Sequence, residues 1–336
     1  MAGSNTHAKY GAYSDNFKQW IAASDVAAIE ASAILPVADR RKLMQAGEES
    51  VPNPLPGVTH QDMEIGDGVT ARVFSPAAPT RTDGRRPLVM VYHGGGWVMG
   101  GLLTEYTIVR TLVGKLGCVA VCIGYRLAPE NPFPAPFEDC FRGLEWAREN
   151  AERFGADPDF VLVAGSSAGG QLSAAVAQRA RDEGRRCIRG QILISPATCH
   201  YRHYNVARAK GFEMESMELL RDVPILSAAN MKGFWDSYYP SDDIKTAVSP
   251  LLGNLIGLPP AYIQVAGSDV LRDDGISYAK ALGDAGVPVK IDVYPGLPHG
   301  FHVPHLGLPD WEISEKNLEG HARWLLTLAG GVGGST

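Results

Sequence analysis

The sequence predicts an α/β fold with a mainly parallel, doubly wound sheet, and three observations carry that prediction. Apolar segments rich in strand-forming residues alternate with helical segments, which is the pattern of βαβ units. Small residues surround Ser167 between one of these strands and an Ala-rich helix. Three consecutive glycines, Gly94 to Gly96, follow another strand. The strands of the alternating pattern are expected at 87–93, 118–124, 159–164, 188–195, 261–266 and 289–294.

The domain organisation follows from the segments that depart from this alternation. The chain has 336 residues and 45% hydrophobic content, which allows one sizeable core in one domain or two. Two antiparallel strands are expected between 60 and 75, with a turn near Gly66-Asp-Gly68. No strand is evident from 198 to 247, a segment rich in Met and aromatic residues. We divide the chain into an N-terminal helical segment at 1–48 and an α/β domain at 49–336 with an insertion at about 198–247.

Ser167 is the candidate nucleophile. It lies in Gly165-Ser-Ser-Ala-Gly169, between the strand at 159–164 and a helix expected at 171–181. A strand, a sharp turn and a helix form a nucleophile elbow, in which the serine hydroxyl stands clear of the sheet. Glycines at both ends of the motif remove the Cβ atoms that would collide in so tight a bend. Ser166 is the alternative nucleophile at the same turn.

The glycine run in His93-Gly-Gly-Gly-Trp97 is a candidate oxyanion hole. Consecutive glycines after a strand leave backbone N–H groups free to turn toward a ligand. An oxyanion hole needs such donors near an oxygen that becomes charged only during the reaction. The helix that begins behind Ser167 adds further N–H groups and the positive end of its dipole.

Asp269 and His299 are the candidates for the acid and the base of a triad. In folds with a nucleophile elbow the acid and then the histidine follow the serine along the chain. Asp269 follows the strand at 261–266, and His299 follows the strand at 289–294. Ligand chemistry in open parallel sheets gathers beyond the carboxyl ends of the strands. The two residues are therefore expected in neighbouring loops at one edge of the sheet.

Both positions have competitors. His302 and His305 lie close to His299, which is favoured because it precedes a glycine in a loop held by two prolines. Asp273 and Asp274 compete with Asp269, but they are expected in the first turn of a helix, where acidic residues complement the dipole.

Taken in order, the motifs resemble those of the hormone-sensitive-lipase family of α/β-hydrolases, from about residue 85 to the end of the chain. The motifs are His93-Gly-Gly-Gly-Trp97, Tyr125-Arg-Leu-Ala-Pro-Glu130, Gly165-Ser-Ser-Ala-Gly-Gly170, Asp269-Val-Leu-Arg-Asp-Asp-Gly275 and His299-Gly-Phe301. The resemblance implies an α/β-hydrolase fold in which the insertion and the N-terminal helices form a helical cap. The sequence departs from the family's motifs at two positions: Ser166, where Asp is frequent, and Val270, where Pro is usual.

The resemblance also assigns roles. It implies that Ser167 is the nucleophile, that His299 is the general base and acid, and that Asp269 orients the histidine. The oxyanion N–H groups would come from Gly95, Gly96 and Ala168. Residues expected to contact the substrate are Trp97, Phe212 and Met217.

The implied activity is that of a serine carboxylesterase, which cleaves esters of small to medium substrates through an acyl-enzyme. The region His7-Ala-Lys-Tyr-Gly11 and the overall layout are also similar to fungal esterases of polyketide pathways. An acyltransferase or cyclising enzyme of secondary metabolism could use the same triad. A noncatalytic small-molecule receptor, like the similar plant gibberellin receptors, is less favoured because those receptors lack a complete triad.

Composition and charge limit the classes of binding partner and cofactor expected for this chain. A net charge of −6 without a Lys/Arg run argues against nucleic acid and anionic membrane surfaces. No stretch resembles a signal peptide or a membrane span. Neither paired metal-ligand spacing nor a nucleotide-binding motif is present, so no metal and no cofactor are expected. The five scattered cysteines predict free thiols and a cytoplasmic location. The sequence leaves the oligomeric state open.

Overall fold

The computed structural model describes residues 6–49, 57–77 and 86–328. Within these ranges one sheet contains eight strands, in the spatial order β1-β2-β4-β3-β5-β6-β7-β8. Their bounds are β1 Val58–Glu64, β2 Thr70–Pro76, β3 Arg86–Tyr92, β4 Val119–Gly124, β5 Ala156–Ser166, β6 Ile188–Ile194, β7 Ala261–Ser268 and β8 Val289–Pro298.

The sheet is parallel apart from one edge. β1 pairs with β2 and β2 with β4 in antiparallel fashion, whereas β3 to β8 pair in parallel. The predicted strands are all present, and the turn between the first two lies at Gly66 to Gly68 as expected. The prediction of a mainly parallel sheet in an α/β-hydrolase fold is confirmed.

Helices cover both faces of the sheet. They are α1 Asp15–Ala23, α2 Val26–Ala33, α3 Val37–Glu49, α4 Tyr106–Val109, α5 Ala135–Glu149, α6 Ala168–Asp182, α7 Tyr204–Ala209, α8 Ser216–Leu219, α9 Ala228–Tyr238, α10 Arg272–Asp284 and α11 Trp311–Leu328. None of the helices in the described ranges combines the length and apolar character needed to cross a membrane.

The alternation of side chains along β3 shows how the two faces are filled. Leu88, Met90 and Tyr92 point into the core shared with α5, α6 and α10. Val89 and Val91 point into a second core, shared with α4 and α11. Because successive strand residues face opposite sides, a fully buried strand reads as a continuous apolar run.

The segment at 198–247 contains short helices and no strand, as predicted. Its longest helix, α9, packs Trp235 and Tyr238 into the main core. The described part of the N-terminal segment, residues 6–49, contains three α-helices and a short 3-10 turn. Phe17 of α1 packs with Leu297 at the end of β8 and with Phe301 shortly after it. All five cysteines are buried and free.

Three of the parallel strands extend beyond their predicted ends, and β5 does so by two residues, to Ser166. β7 continues to Ser268 and β8 to Pro298, and these two residues are still paired after a local irregularity in the register. The prolines and glycine from 295 to 298 suggested a loop, but the chain there stays extended. Each of the three candidate catalytic residues therefore follows the last residue of a strand directly: Ser167 after β5, Asp269 after β7 and His299 after β8.

Candidate active site

Ser167 occupies a strained turn between β5 and α6. Its φ of +53° and ψ of −116° place a non-glycine residue in the left-handed half of the map. The turn is held by a hydrogen bond of 2.8 Å from the Ser167 N–H to the carbonyl of Ile194. Strain of this kind persists only where the surrounding structure imposes it, and it is concentrated at functional sites.

The glycines of the motif are required by the backbone of the neighbouring strand. A Cβ atom on Gly165 or on Gly169 would overlap the carbonyl oxygen of Tyr92 at the end of β3. A Cβ on Gly170 would lie 2.9 Å from the Cβ of Pro196. Since a main-chain oxygen in a central strand cannot move aside, only glycine fits at 165 and 169, as the motif predicted.

His299 and Asp269 are joined by a short hydrogen bond. The Nδ1 atom of His299 lies 2.6 Å from Oδ2 of Asp269. The Asp269 side chain is completely buried, and its other oxygen accepts from the N–H of Leu271 at 2.9 Å. With Nδ1 engaged, Nε2 is the ring atom left for proton transfer. Ser167 and His299 line the same cavity.

The competing histidines have other surroundings. His302 is buried, and its Nδ1 has no hydrogen-bond partner within the described chain. Burial, helped by the neighbouring His299 and His305, lowers the pKa of His302 to about 3, so the ring is neutral at physiological pH. His305 lies in the short helical turn Pro304–Leu306.

The competing aspartates lie in the first turn of α10, as predicted, but they are buried in networks of their own. Asp273 contacts His7 and Arg272, at 3.0 and 2.9 Å. Burial opposes ionisation of Asp273, but hydrogen bonds from these two residues outweigh it and lower its pKa to about 2. Asp274 accepts from the hydroxyl of Tyr204 at 2.8 Å, and burial raises its pKa well above the usual range.

The glycine loop after β3 carries the candidate oxyanion donors. Gly95 and Gly96 have φ of +106° and +62° and both line the cavity. The carbonyl of Gly95 accepts from the N–H groups of Val98 and Met99, which closes the loop into a turn. Within the described residues the N–H groups of Gly95 and Gly96 donate to no carbonyl. Ala168 is the first residue of α6, a position where the N–H has no partner within the helix.

A buried glutamate that sequence reasoning missed supports both loops. Oε1 of Glu105 accepts from the hydroxyl of Ser166 at 2.6 Å and from the N–H of Gly94 at 2.9 Å. The Ser166 hydroxyl is thereby directed toward a carboxylate and away from the histidine. Glu105 lies in a stretch with no recognisable motif, so no pattern in the sequence pointed to it.

A second support for the glycine loop is the pair of His93 and Tyr125. The two rings stack with centroids 4.0 Å apart, and the Tyr125 hydroxyl donates to the carbonyl of His93 at 2.7 Å. Burial lowers the pKa of His93 to about 4, so this ring is also neutral. The contact explains why the motifs at 93–97 and 125–130 occur together.

The cavity at Ser167 has a volume of about 290 Å³. Besides the catalytic candidates and the glycine loop, its wall comes from the N-terminal helices and from the inserted segment. The wall residues from these two regions are Ile29, Ser32, Ala33, Arg40, Leu43, Met44, Ile225, Leu226, Asn230, Met231 and Phe234.

The structure places Trp97, Phe212 and Met217 outside the cavity wall. Trp97 is fully buried, stacks on Tyr238 with centroids 4.5 Å apart, and donates its indole N–H to Gln171 at 3.0 Å. Met217 and Phe212 pack on the main core. Their apolar side chains serve packing, whereas Phe234 and other members of the segment at 198–247 line the cavity.

Comparison with known proteins agrees with this geometry. The family profile described as the alpha/beta hydrolase fold matches residues 89–303, which include Ser167, Asp269 and His299. The chain belongs to the hormone-sensitive-lipase-like branch of this family. Carboxylesterase NlhH of Mycobacterium tuberculosis is 38% identical over 260 residues, 74% of this chain and 77% of that protein.

Two further relatives match almost end to end. Versiconal hemiacetal acetate esterase of Dothistroma septosporum is 30% identical over 327 residues, 94% of this chain and 96% of that protein. The crystal structure of vibralactone cyclase superposes with a TM-score of 0.81 at 29% identity, covering 96% of this chain and 97% of that one. The similarity therefore includes the N-terminal segment that precedes the catalytic motifs.

Proposed function

We propose that Ser167, His299 and Asp269 form the catalytic triad of this carboxylic ester hydrolase. His299 takes the proton of the Ser167 hydroxyl, whose oxygen attacks the ester carbonyl. Asp269 holds the ring through Nδ1 and stabilises the imidazolium that forms. The alcohol leaves with the proton from His299, and water then repeats the sequence on the acyl-enzyme.

The tetrahedral oxyanion is assigned to the N–H groups of Gly95, Gly96 and Ala168. The first two lie in a loop with unpaired donors, and the third begins a helix whose dipole favours negative charge at that end. The single observation that carries the proposal is the 2.6 Å contact between His299 and Asp269 at the cavity that also exposes the strained Ser167.

The substrate class that we propose is esters of small to medium size. A cavity of about 290 Å³ with a wall from α2, α3 and α9 limits the acyl or alcohol portion that can be enclosed. We regard the N-terminal helices and the segment at 198–247 as one cap, because α2, α3 and that segment all contribute to this wall. A cytoplasmic location is proposed from the five free, buried thiols.

A p-nitrophenyl ester series from acetyl to palmitoyl, read as kcat/KM, tests the size limit. We expect the highest value among the short and medium acyl chains and a fall of roughly tenfold or more toward palmitoyl, since part of a long chain would stay outside the wall. A maximum at palmitoyl, or a jump in rate above the solubility limit of the substrate, would instead describe a lipase.

The similarity to vibralactone cyclase supports a second candidate, a cyclising or acyl-transferring enzyme on the same triad. Such an enzyme forms the same acyl-enzyme but passes the acyl group to a hydroxyl other than water. Product analysis with and without an added alcohol separates the two. A free carboxylic acid as the main product in both cases supports hydrolysis, and an ester or lactone as the main product supports transfer.

A further inference from the structure

Arg40, in α3, lies in the wall of the cavity that contains Ser167. Among the residues that form this wall, all in the described ranges, Arg40 alone carries a permanent charge. The others are apolar or neutral, apart from the two histidines at 299 and 302. The fixed charge among the wall residues is therefore positive, and it is carried by a guanidinium.

Arg40 has no carboxylate partner within the described part of the chain, in contrast to its neighbours. Arg41 pairs with Glu130 at 2.7 Å, and Lys42 pairs with Asp39 at 3.0 Å. The Arg40 guanidinium instead lies over the ring of Phe234, with Cζ 4.6 Å from the centroid. A guanidinium that stacks on an aromatic ring is held through its own planar face. The N–H groups along the edge of the guanidinium then remain free to donate.

Phe234 also places Arg40 near the reacting centre. A Cβ atom on Gly96 would overlap the Phe234 ring, so the ring lies directly against the candidate oxyanion loop. The Arg40 guanidinium lies over the same ring. One aromatic side chain therefore contacts both the loop and the guanidinium.

A partly buried guanidinium without an anion has lost water and gained no ion pair. Burial lowers its pKa, but an arginine side chain stays charged in proteins. The planar, edge-on donors of a guanidinium match the two oxygens of a carboxylate, which can accept two parallel hydrogen bonds from them. Stacking on Phe234 alone would account for the position of Arg40, but a Lys or an apolar residue would serve packing equally well.

We propose that Arg40 binds a carboxylate on the substrate, so that the preferred esters are anionic and carry that carboxylate near the ester bond. The inference rests on the proposed function, because it takes Ser167 as the point of attack. It assigns Arg40 the role of selecting among esters, with no part in proton transfer.

The test uses two acetate esters of nearly equal shape. 4-Acetoxybenzoate carries a carboxylate across one ring from the ester, and 4-acetoxybenzamide replaces it with a neutral amide. The readout is the ratio of kcat/KM for the anion to kcat/KM for the amide, measured in the wild type, Arg40→Gln, Arg40→Lys and Lys42→Gln. Lys42→Gln is the matched control, since it removes the same charge from the same helix at an exposed position.

We expect a wild-type ratio of roughly ten to a hundred, as for a hydrogen bond to a charged group. Arg40→Gln should bring the ratio close to one, Arg40→Lys should keep part of it, and Lys42→Gln should keep it whole. A wild-type ratio near one, or an equal ratio in Arg40→Gln and wild type, would overturn the inference. If the acetate ester of 4-acetoxybenzamide is still hydrolysed in either case, the proposed function stands. If the wild type hydrolyses neither ester, the proposed function itself is rejected.

Discussion

At the scale of single residues, the site depends on which of several similar side chains receives the right partner. Two serines are adjacent at the elbow, but the hydroxyl of Ser166 is bound to Glu105 while Ser167 has the strained backbone. Three histidines lie close together, but only His299 contacts Asp269. Selection at this scale comes from hydrogen-bond geometry, which a residue's position along the chain does not specify.

His299→Ala should lower kcat/KM for p-nitrophenyl acetate by on the order of 10⁴ or more, because the serine loses its base. His305→Ala is the control, since His305 is outside the cavity, and it should stay within about threefold of wild type. Near-normal turnover by His299→Ala would reject this role.

Much of the candidate site could be predicted from the sequence, and the part that could not is long-range. Gly165 and Gly169 were predictable because tight backbone turns demand glycine, and the structure shows the carbonyl of Tyr92 that demands it. Glu105 and Arg40 were not predictable. Glu105 binds the hydroxyl of Ser166, which is 61 residues away along the chain, and Arg40 lies over Phe234 of a separate segment. The sequence did not indicate that Trp97 lies outside the cavity wall, since an aromatic residue beside a glycine loop fits a buried support and a substrate contact equally well.

At the scale of elements, the cavity is closed by helices from two distant parts of the chain that meet over the glycine loop. Phe234 of α9 packs on Gly96, and Arg40 of α3 packs on Phe234. Arg41 ties α3 to the segment after the loop through the carbonyls of Val98 and Ala128. The short helices at 198–247 were predictable as an insertion, but periodicity does not tell which of their apolar residues face the cavity.

The contact between Phe234 and Gly96 predicts that alanine substitutions at Gly95 and Gly96 lower activity for different reasons. Gly96→Ala should lower kcat by about 10²- to 10³-fold, because the added Cβ overlaps the Phe234 ring and displaces an oxyanion donor. Gly95→Ala should be at least as damaging, since its Cβ overlaps the main-chain carbonyl of Met99.

Phe234→Ala distinguishes the side-chain overlap at position 96 from the main-chain overlap at position 95. Combined with Gly96→Ala it should restore part of the lost kcat, because the obstacle is a side chain that can be removed. Combined with Gly95→Ala it should restore nothing. Equal behaviour of the two double variants would contradict the packing described for this loop.

At the scale of the whole molecule, the fold concentrates neutral buried histidines around the catalytic edge of the sheet. His93 and His302 are buried with pKa values of about 4 and about 3, against an ordinary value of 6.5. The unfolded chain protonates both as the pH falls below about 6.5, while the folded chain does not. Each therefore lowers the free energy of unfolding as the pH falls from about 6.5 toward 4, by about 1.4 kcal/mol per pH unit.

Asp274 acts in the opposite direction over the same range, because its raised pKa keeps a proton on the folded chain that the unfolded chain has lost. Asp274 therefore offsets part of the slope that the buried histidines produce. Urea unfolding between pH 7 and pH 4.5 measures it, and His302→Gln should reduce the slope by about one proton relative to wild type. An unchanged slope in that variant would show that His302 is not buried and neutral in the folded protein.

The covalent intermediate is proposed to form on Ser167. The most direct measurement is labelling of the wild type, Ser166→Ala and Ser167→Ala with a fluorophosphonate, followed by mass spectrometry of the peptide containing 165–170. We expect one phosphonyl adduct on the Ser167 oxygen in the wild type and in Ser166→Ala. Ser167→Ala should carry no adduct and hydrolyse esters at least about 10⁴-fold more slowly. An adduct on Ser166, or an unlabelled Ser167→Ala that still turns over ester at the wild-type rate, would contradict this assignment.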